Sequence, residues 1–164
     1  MNPLDHPDRD LLKGHVLLQE RWPKLLRRLT QDGFAMMLIE VYRPDTRQQW
    51  LYAQGRTPEA CALKGIPTQW ARPGPIVTNA WSAKTSAHGW MSEGEPAAAA
   101  LDGVPVGSDG KPWTIDDPWD AFVSAIARYG AEVGLVHFTS RGKVTDRPHL
   151  QLREYSDLTH RLEL

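Results

Sequence analysis

The sequence predicts an α+β fold. A helical segment opens the chain, and strand-like runs with one late helix follow it instead of alternating with it. The 164 residues, 41% hydrophobic and 24% charged, are also enough to build one core without disulfide or metal staples. A single domain over residues 1–164 is expected.

Residues 8–31 read as helical. Leu11, Leu12, His15 and Leu18, then Leu25, Leu26 and Leu29, recur at helical spacing. Pro23 predicts two helices or one kinked helix, and Asp32-Gly33 is a stop signal. FAMMLIEVY (34–42), apolar and bounded by Gly33 and Pro44, suits a buried strand. DTRQQWLYAQ (45–54) reads as a short helix with Asp45 as its N-cap. Residues 55–87 hold Gly55, Pro58, Gly65, Pro67, Pro73, Gly74 and Pro75 and predict a long irregular segment, functional or disordered. Trp70 and Trp81 speak against disorder there. Residues 97–106 predict a strand ending in a bend, and 107–112 a turn. Residues 116–129 predict an amphipathic helix capped by Asp116 or Asp117, with Pro118 in its first turn. Its apolar stripe is Ala121, Phe122, Ala125, Ile126 and Tyr129. Two further strands are expected at 133–138 and 149–153.

Nineteen basic and 20 acidic residues leave a net charge of −1, so no global positive field draws the chain to nucleic acid or membranes. Scattered tryptophans without a basic stripe do not make a nucleic-acid surface. The single cysteine, Cys61, excludes an internal disulfide and a multi-cysteine zinc cage, and reads as a small packing residue. The opening MNPLDHPDRD has no basic region followed by an apolar one, which predicts no signal peptide and synthesis in a cytoplasm. The longest apolar run, Phe34 to Ile39, is far short of the ~20 residues that span a bilayer, so no stable membrane association is expected.

Three features carry possible chemistry: SAH (86–88), ALDGVP (100–105) and DRPH (146–149). His88, Asp102 and His149 together would supply two imidazoles and a carboxylate, a set that suits catalytic zinc with a fourth position left for water. Pro148 biases Arg147 toward extended backbone. In a strand beginning there, His149, Gln151 and Arg153 share one face and Leu150 and Leu152 the other. Asp146 precedes the proline bend and is placed to take a proton from water and pass it to a leaving amine. Plainer roles stay open at this point. A lone histidine is more often a hydrogen-bonded or surface residue, Asp102 before Gly103 suits a turn, and Asp146 suits an arginine partner.

These residues also resemble a family. YRPDTRQQWLYAQGRT (42–57), VTNAWSAKTSAH (77–88), AALDGVPVGSDGKPW (99–113) and DRPHLQL (146–152) are similar, in order and rough separation, to four segments of phage L-alanyl-D-glutamate endopeptidases. Those are zinc enzymes of the D-alanyl-D-alanine carboxypeptidase type. The resemblance implies a hedgehog/D-alanyl-D-alanine metallopeptidase-like fold, a small antiparallel sheet with helices packed on it. It assigns His88, Asp102 and His149 to zinc, Asp146 to the general base, Arg43 to a substrate carboxylate and Gln48 to orienting the loop or substrate. Ser86 falls on the motif serine, which orients a ligand or satisfies a turn. One departure concerns spacing. Glu95 lies seven residues beyond His88, where the family places its aspartate, and Asp102 lies fourteen beyond. GWMSEGE is therefore read as an insertion, with Glu95 as the rival metal ligand. The family's tryptophan-glycine-glycine stretch is replaced by GLVHFTSRGK, which leaves His137 as an additional histidine near the site or a satisfied strand residue.

The implied protein is a phage-type endolysin: a zinc peptidase, expected as a monomer without a separate wall-binding domain. It would cut the L-alanyl-D-glutamate bond of peptidoglycan stem peptides and lyse the host cell. It would be held in the host cytoplasm and released to the periplasm and cell wall. Its rivals are a D-alanyl-D-alanine carboxypeptidase or dipeptidase of the same superfamily and a non-catalytic, zinc-stabilised wall-binding module.

Overall fold

In the computed structural model, residues 6–114, 117–137 and 148–155 are described. The order of elements is α1 (Val16–Gln31), β1 (Ala35–Glu40), α2 (Asp45–Ala53), α3 (Pro58–Ala62), β2 (Met91–Ser92), β3 (Glu95–Pro96), β4 (Ala100–Val106), α4 (Trp119–Val133), β5 (Leu135–His137) and β6 (His149–Leu152). Four strands form one antiparallel sheet in the order β1-β4-β6-β5, and β2 and β3 form a separate hairpin. The architecture is α+β, as the pattern of elements predicts.

Helix α1 is one uninterrupted element, not two helices. Pro23 removes a single N–H from its ladder, and the stripe Leu18, Trp22, Leu25 and Leu29 buries continuously on both sides of it. The helix also starts later than its apolar spacing suggests. Leu11–Lys13 is a separate 3-10 turn, and His15 is the N-cap, its Nδ1 accepting from the Leu17 N–H at 3.2 Å. Helix α4 begins at Trp119 with Pro118 at the cap position, and it runs to Val133, beyond the expected end. Asp117 instead accepts from the Thr114 N–H at 2.5 Å in the preceding turn, and Asp116 lies outside the described residues. Ala121 faces solvent, while Phe122, Ala125, Ile126 and Gly130 bury. Gly134 ends the helix with φ 84°, a left-handed cap that glycine adopts at little cost.

Helices α1 and α4 pack against each other and onto the sheet. The core joins their stripes to Leu101, Leu135, Leu150 and Leu152. Strand alternation then decides which side chains reach the other face. Leu101 opposes Leu150 on the core face, so Asp102 opposes His149 on the opposite one.

Residues 55–87 are more ordered than their glycines and prolines suggest. They contain α3 and 3-10 turns at Thr68–Trp70 and Ala83–Thr85, followed by Ala87–Gly89. A small cluster of Ala53, Cys61 and Ile66, with Tyr52, Trp70 and Ala71 against it, supplies the apolar burial that holds the segment. Cys61 is a packing residue at 0% exposure. Asp45 is the first residue of α2, not its cap. Its carboxylate accepts from the Ala83 N–H at 2.7 Å and from Gln49 Nε2 at 2.8 Å, tying the helix to the loop that carries His88.

Candidate metal centre

Each of the three candidate ligands is positioned by a different local device. His88 sits in the 3-10 turn Ala87–Gly89, where Ser86 Oγ accepts from the His88 N–H at 3.3 Å. A Cβ on Gly89 would lie 2.5 Å from the Cα, Cβ and O of Ala83, so this close passage of two loop segments requires glycine. The His88 ring is buried, and its Nδ1 lies 2.9 Å from the Val41 carbonyl oxygen. A carbonyl only accepts, so Nδ1 carries the proton and Nε2 presents a lone pair. His149 is set by β6. Its Nε2 donates to Gln151 Oε1 at 3.3 Å, which leaves Nδ1 as the lone-pair nitrogen. Asp102 is carried by β4 directly opposite His149.

The three donor atoms form a nearly equilateral triangle. His88 Nε2 to Asp102 Oδ1, His149 Nδ1 to Asp102 Oδ1, and His88 Nε2 to His149 Nδ1 are each 3.2 Å. A tetrahedral cation with ligand bonds of about 2.0–2.1 Å needs ligand–ligand edges of roughly 3.3 Å. Two neutral imidazoles and one carboxylate therefore fit zinc in both chemistry and spacing. Both histidines have an outer hydrogen-bond partner that fixes the tautomer, as metal-binding histidines do. In the metal-free site, protons on the facing ring nitrogens of His88 and His149 outweigh the burial that pushes the Asp102 carboxyl up and hold it well below the ordinary carboxylate range; a bound cation would take the place of those protons. Asp102 is thus an anion at neutral pH. Among the described residues this is the one group of three or more His, Cys, Asp or Glu side chains spaced to hold an ion.

The triangle lies in a cleft bordered by Glu40, Arg43, Leu51, Val77, Thr78, Thr85 and Tyr155. Arg43 is buried and reaches Glu40, Gln48 and Asp102. Gln48, at 0% exposure, accepts from Arg43 at 3.1 Å and donates to the Ala80 carbonyl at 2.6 Å, so it links the arginine to the cleft wall.

Two of the other sequence candidates, Glu95 and His137, lie apart from the triangle. Glu95 is exposed on the β2–β3 hairpin, whose turn is formed by Glu93 and Gly94 with φ 53° and 86°, and it is not part of the triangle. His137 pairs with Leu150 and so shares the core face, opposite to that of His149. Asp146 lies outside the described residues. Glu40 and Tyr155 escaped the sequence reading. Glu40 had a signal, being the one charged residue inside FAMMLIEVY.

No family model matches this sequence, and no curated protein matches it. Among solved structures, the chain is similar to the LdcB LD-carboxypeptidase, described in connection with peptidoglycan recognition. The TM-score is 0.47 and the identity 16%, over 93% of this chain and 74% of that one. A likeness of this degree adds nothing to the chemistry read from the site itself. Among the described residues no helix is long and apolar enough to cross a membrane.

Proposed function

We propose that this protein is a zinc peptidase acting on peptidoglycan stem peptides. The observation that carries the reading is the triangle of His88 Nε2, Asp102 Oδ1 and His149 Nδ1 with its 3.2 Å edges, open to a cleft of mixed polar and apolar lining. A zinc ion held by His88, Asp102 and His149 would supply Lewis acidity and lower the pKa of water. The chain's own residues do the rest. Val41 and Gln151 fix the imidazole tautomers, and Asp102 adds the negative charge that favours a cation. By the resemblance, Asp146 takes a proton from water and returns it to the leaving amine. The hydroxyls of Thr78 and Thr85 and the Tyr155 side chain border the space for a peptide.

The finer reading, from the four segments at 42–57, 77–88, 99–113 and 146–152, is an L-alanyl-D-glutamate endopeptidase of the endolysin kind. It would accumulate in the host cytoplasm and act on the wall after release. Mass analysis of peptidoglycan digested by the zinc-loaded protein tests it. Fragments with new L-alanine carboxyl and D-glutamate amino ends are expected. Released D-alanine would instead establish a carboxypeptidase. Intact peptidoglycan with zinc bound would leave a non-catalytic wall-binding module.

A further inference from the structure

We infer that Arg43 is a positioning residue of the metal centre: anchored by Glu40, it fixes Asp102 as a ligand through one oxygen. The inference rests on the metal-centre reading above and differs from the substrate-carboxylate role that the resemblance gives Arg43.

The accounting of guanidinium hydrogens decides between the two roles. Arginine carries five N–H donors in a planar fork, and a carboxylate clamp needs two parallel ones on a single edge. The edge formed by Nε and one terminal nitrogen is taken by Glu40 Oε2, with Nε at 2.9 Å. The other edge is split. Its Nη1 donates to Gln48 Oε1 at 3.1 Å and its Nη2 to Asp102 Oδ2 at 3.2 Å. No two-hydrogen edge is left for a substrate carboxylate.

Asp102 divides its oxygens to match. Oδ1 faces the two imidazoles and Oδ2 faces Arg43. The strand register explains how the anchor arrives there. β1 and β4 pair regularly up to Leu38↔Gly103, and the register then shifts so that Glu40, not Ile39, opposes Asp102. This β-bulge moves Glu40 from the core face to the face of the site. Glu40 also binds Arg47 through its second oxygen, Oε1. Glu40, Arg43 and Arg47 are all buried, and such groups persist inside a protein only when their charges are paired. The order of support therefore runs from Arg47 through Glu40 and Arg43 to Asp102.

The test is metal affinity by chelator competition, with the visible spectrum of the cobalt(II)-loaded full chain, for wild type, Arg43→Lys, Glu40→Gln and the double variant. Lysine keeps the charge but loses the fork. Loss of an outer partner of a metal ligand weakens binding about 10–100-fold, and that is expected of Arg43→Lys, with altered cobalt bands and an unchanged KM. Glu40→Gln is expected to move affinity in the same direction by less. The double variant is expected to be no weaker than Arg43→Lys alone, since both act through one chain. Unchanged affinity and bands with a raised KM in Arg43→Lys would overturn the inference and restore the substrate clamp. Additive losses in the double variant would overturn the order of support. A wild type that binds neither zinc nor cobalt would overturn the metal-centre reading itself, a result distinct from both.

Discussion

His88 and His149 offer different ring nitrogens to the same point, Nε2 from one and Nδ1 from the other, because their outer partners differ. This choice is invisible in sequence, where both are simply histidines. A third histidine shows the same dependence on surroundings. His15 caps α1 only while its Nδ1 is unprotonated, since it accepts from the Leu17 N–H. Its pKa is lowered by burial, helped by the charge of Arg21 and opposed by Glu154. The unfolded chain therefore takes up this proton first, near the ordinary value of about 6.5. Where the unfolded state binds more protons, stability rises with pH. The His15 contribution is thus complete above that value and is lost as pH falls toward the lower folded one. Denaturant midpoints between mildly acidic and neutral pH are expected to fall on acidification in wild type, and to fall less in His15→Asn, which keeps a capping acceptor. Equal slopes in the two proteins would remove His15 from the account.

At the scale of elements, the site is assembled by a strand pair, a bulge and a tight loop, and these differ in how plainly they can be read. Alternation along HLQL tells where His149 points, because leucines flank it and the core must take them. The β1 bulge left no such mark. FAMMLIEVY reads as a continuous apolar strand, and only pairing with β4 decides that Glu40 lies beside Asp102. The 55–87 segment misleads in the other direction, since its turn residues conceal a small cluster around Cys61 that forms only in three dimensions. Pro23 leaves two helices or one kinked helix open in sequence, and the burial of Leu25 and Leu29 beside Leu18 and Trp22 decides for a single element. The loop holding His88 depends on Gly89. A methyl group there meets Ala83 backbone atoms at 2.5 Å, contacts that cannot swing aside. Gly89→Ala is expected to cost about 1–3 kcal/mol, as overpacking does, and to weaken zinc binding by displacing His88. A variant as stable as wild type in denaturant titration, with unchanged zinc affinity, would show that the loop tolerates the shift.

For the molecule as a whole, the division of labour follows the two faces of one sheet. Helices α1 and α4 bury one face, and the other presents Asp102 and His149 to the cleft. The central claim is that His88, Asp102 and His149 hold one zinc ion, with Glu95 on a hairpin outside the site. Elemental analysis of purified wild type, Asp102→Ala and Glu95→Ala, each after zinc reconstitution, tests it most directly. One zinc per chain in wild type and Glu95→Ala, and loss of it in Asp102→Ala, is the predicted result. Zinc retained in Asp102→Ala and lost in Glu95→Ala, or absent from all three proteins, would contradict it.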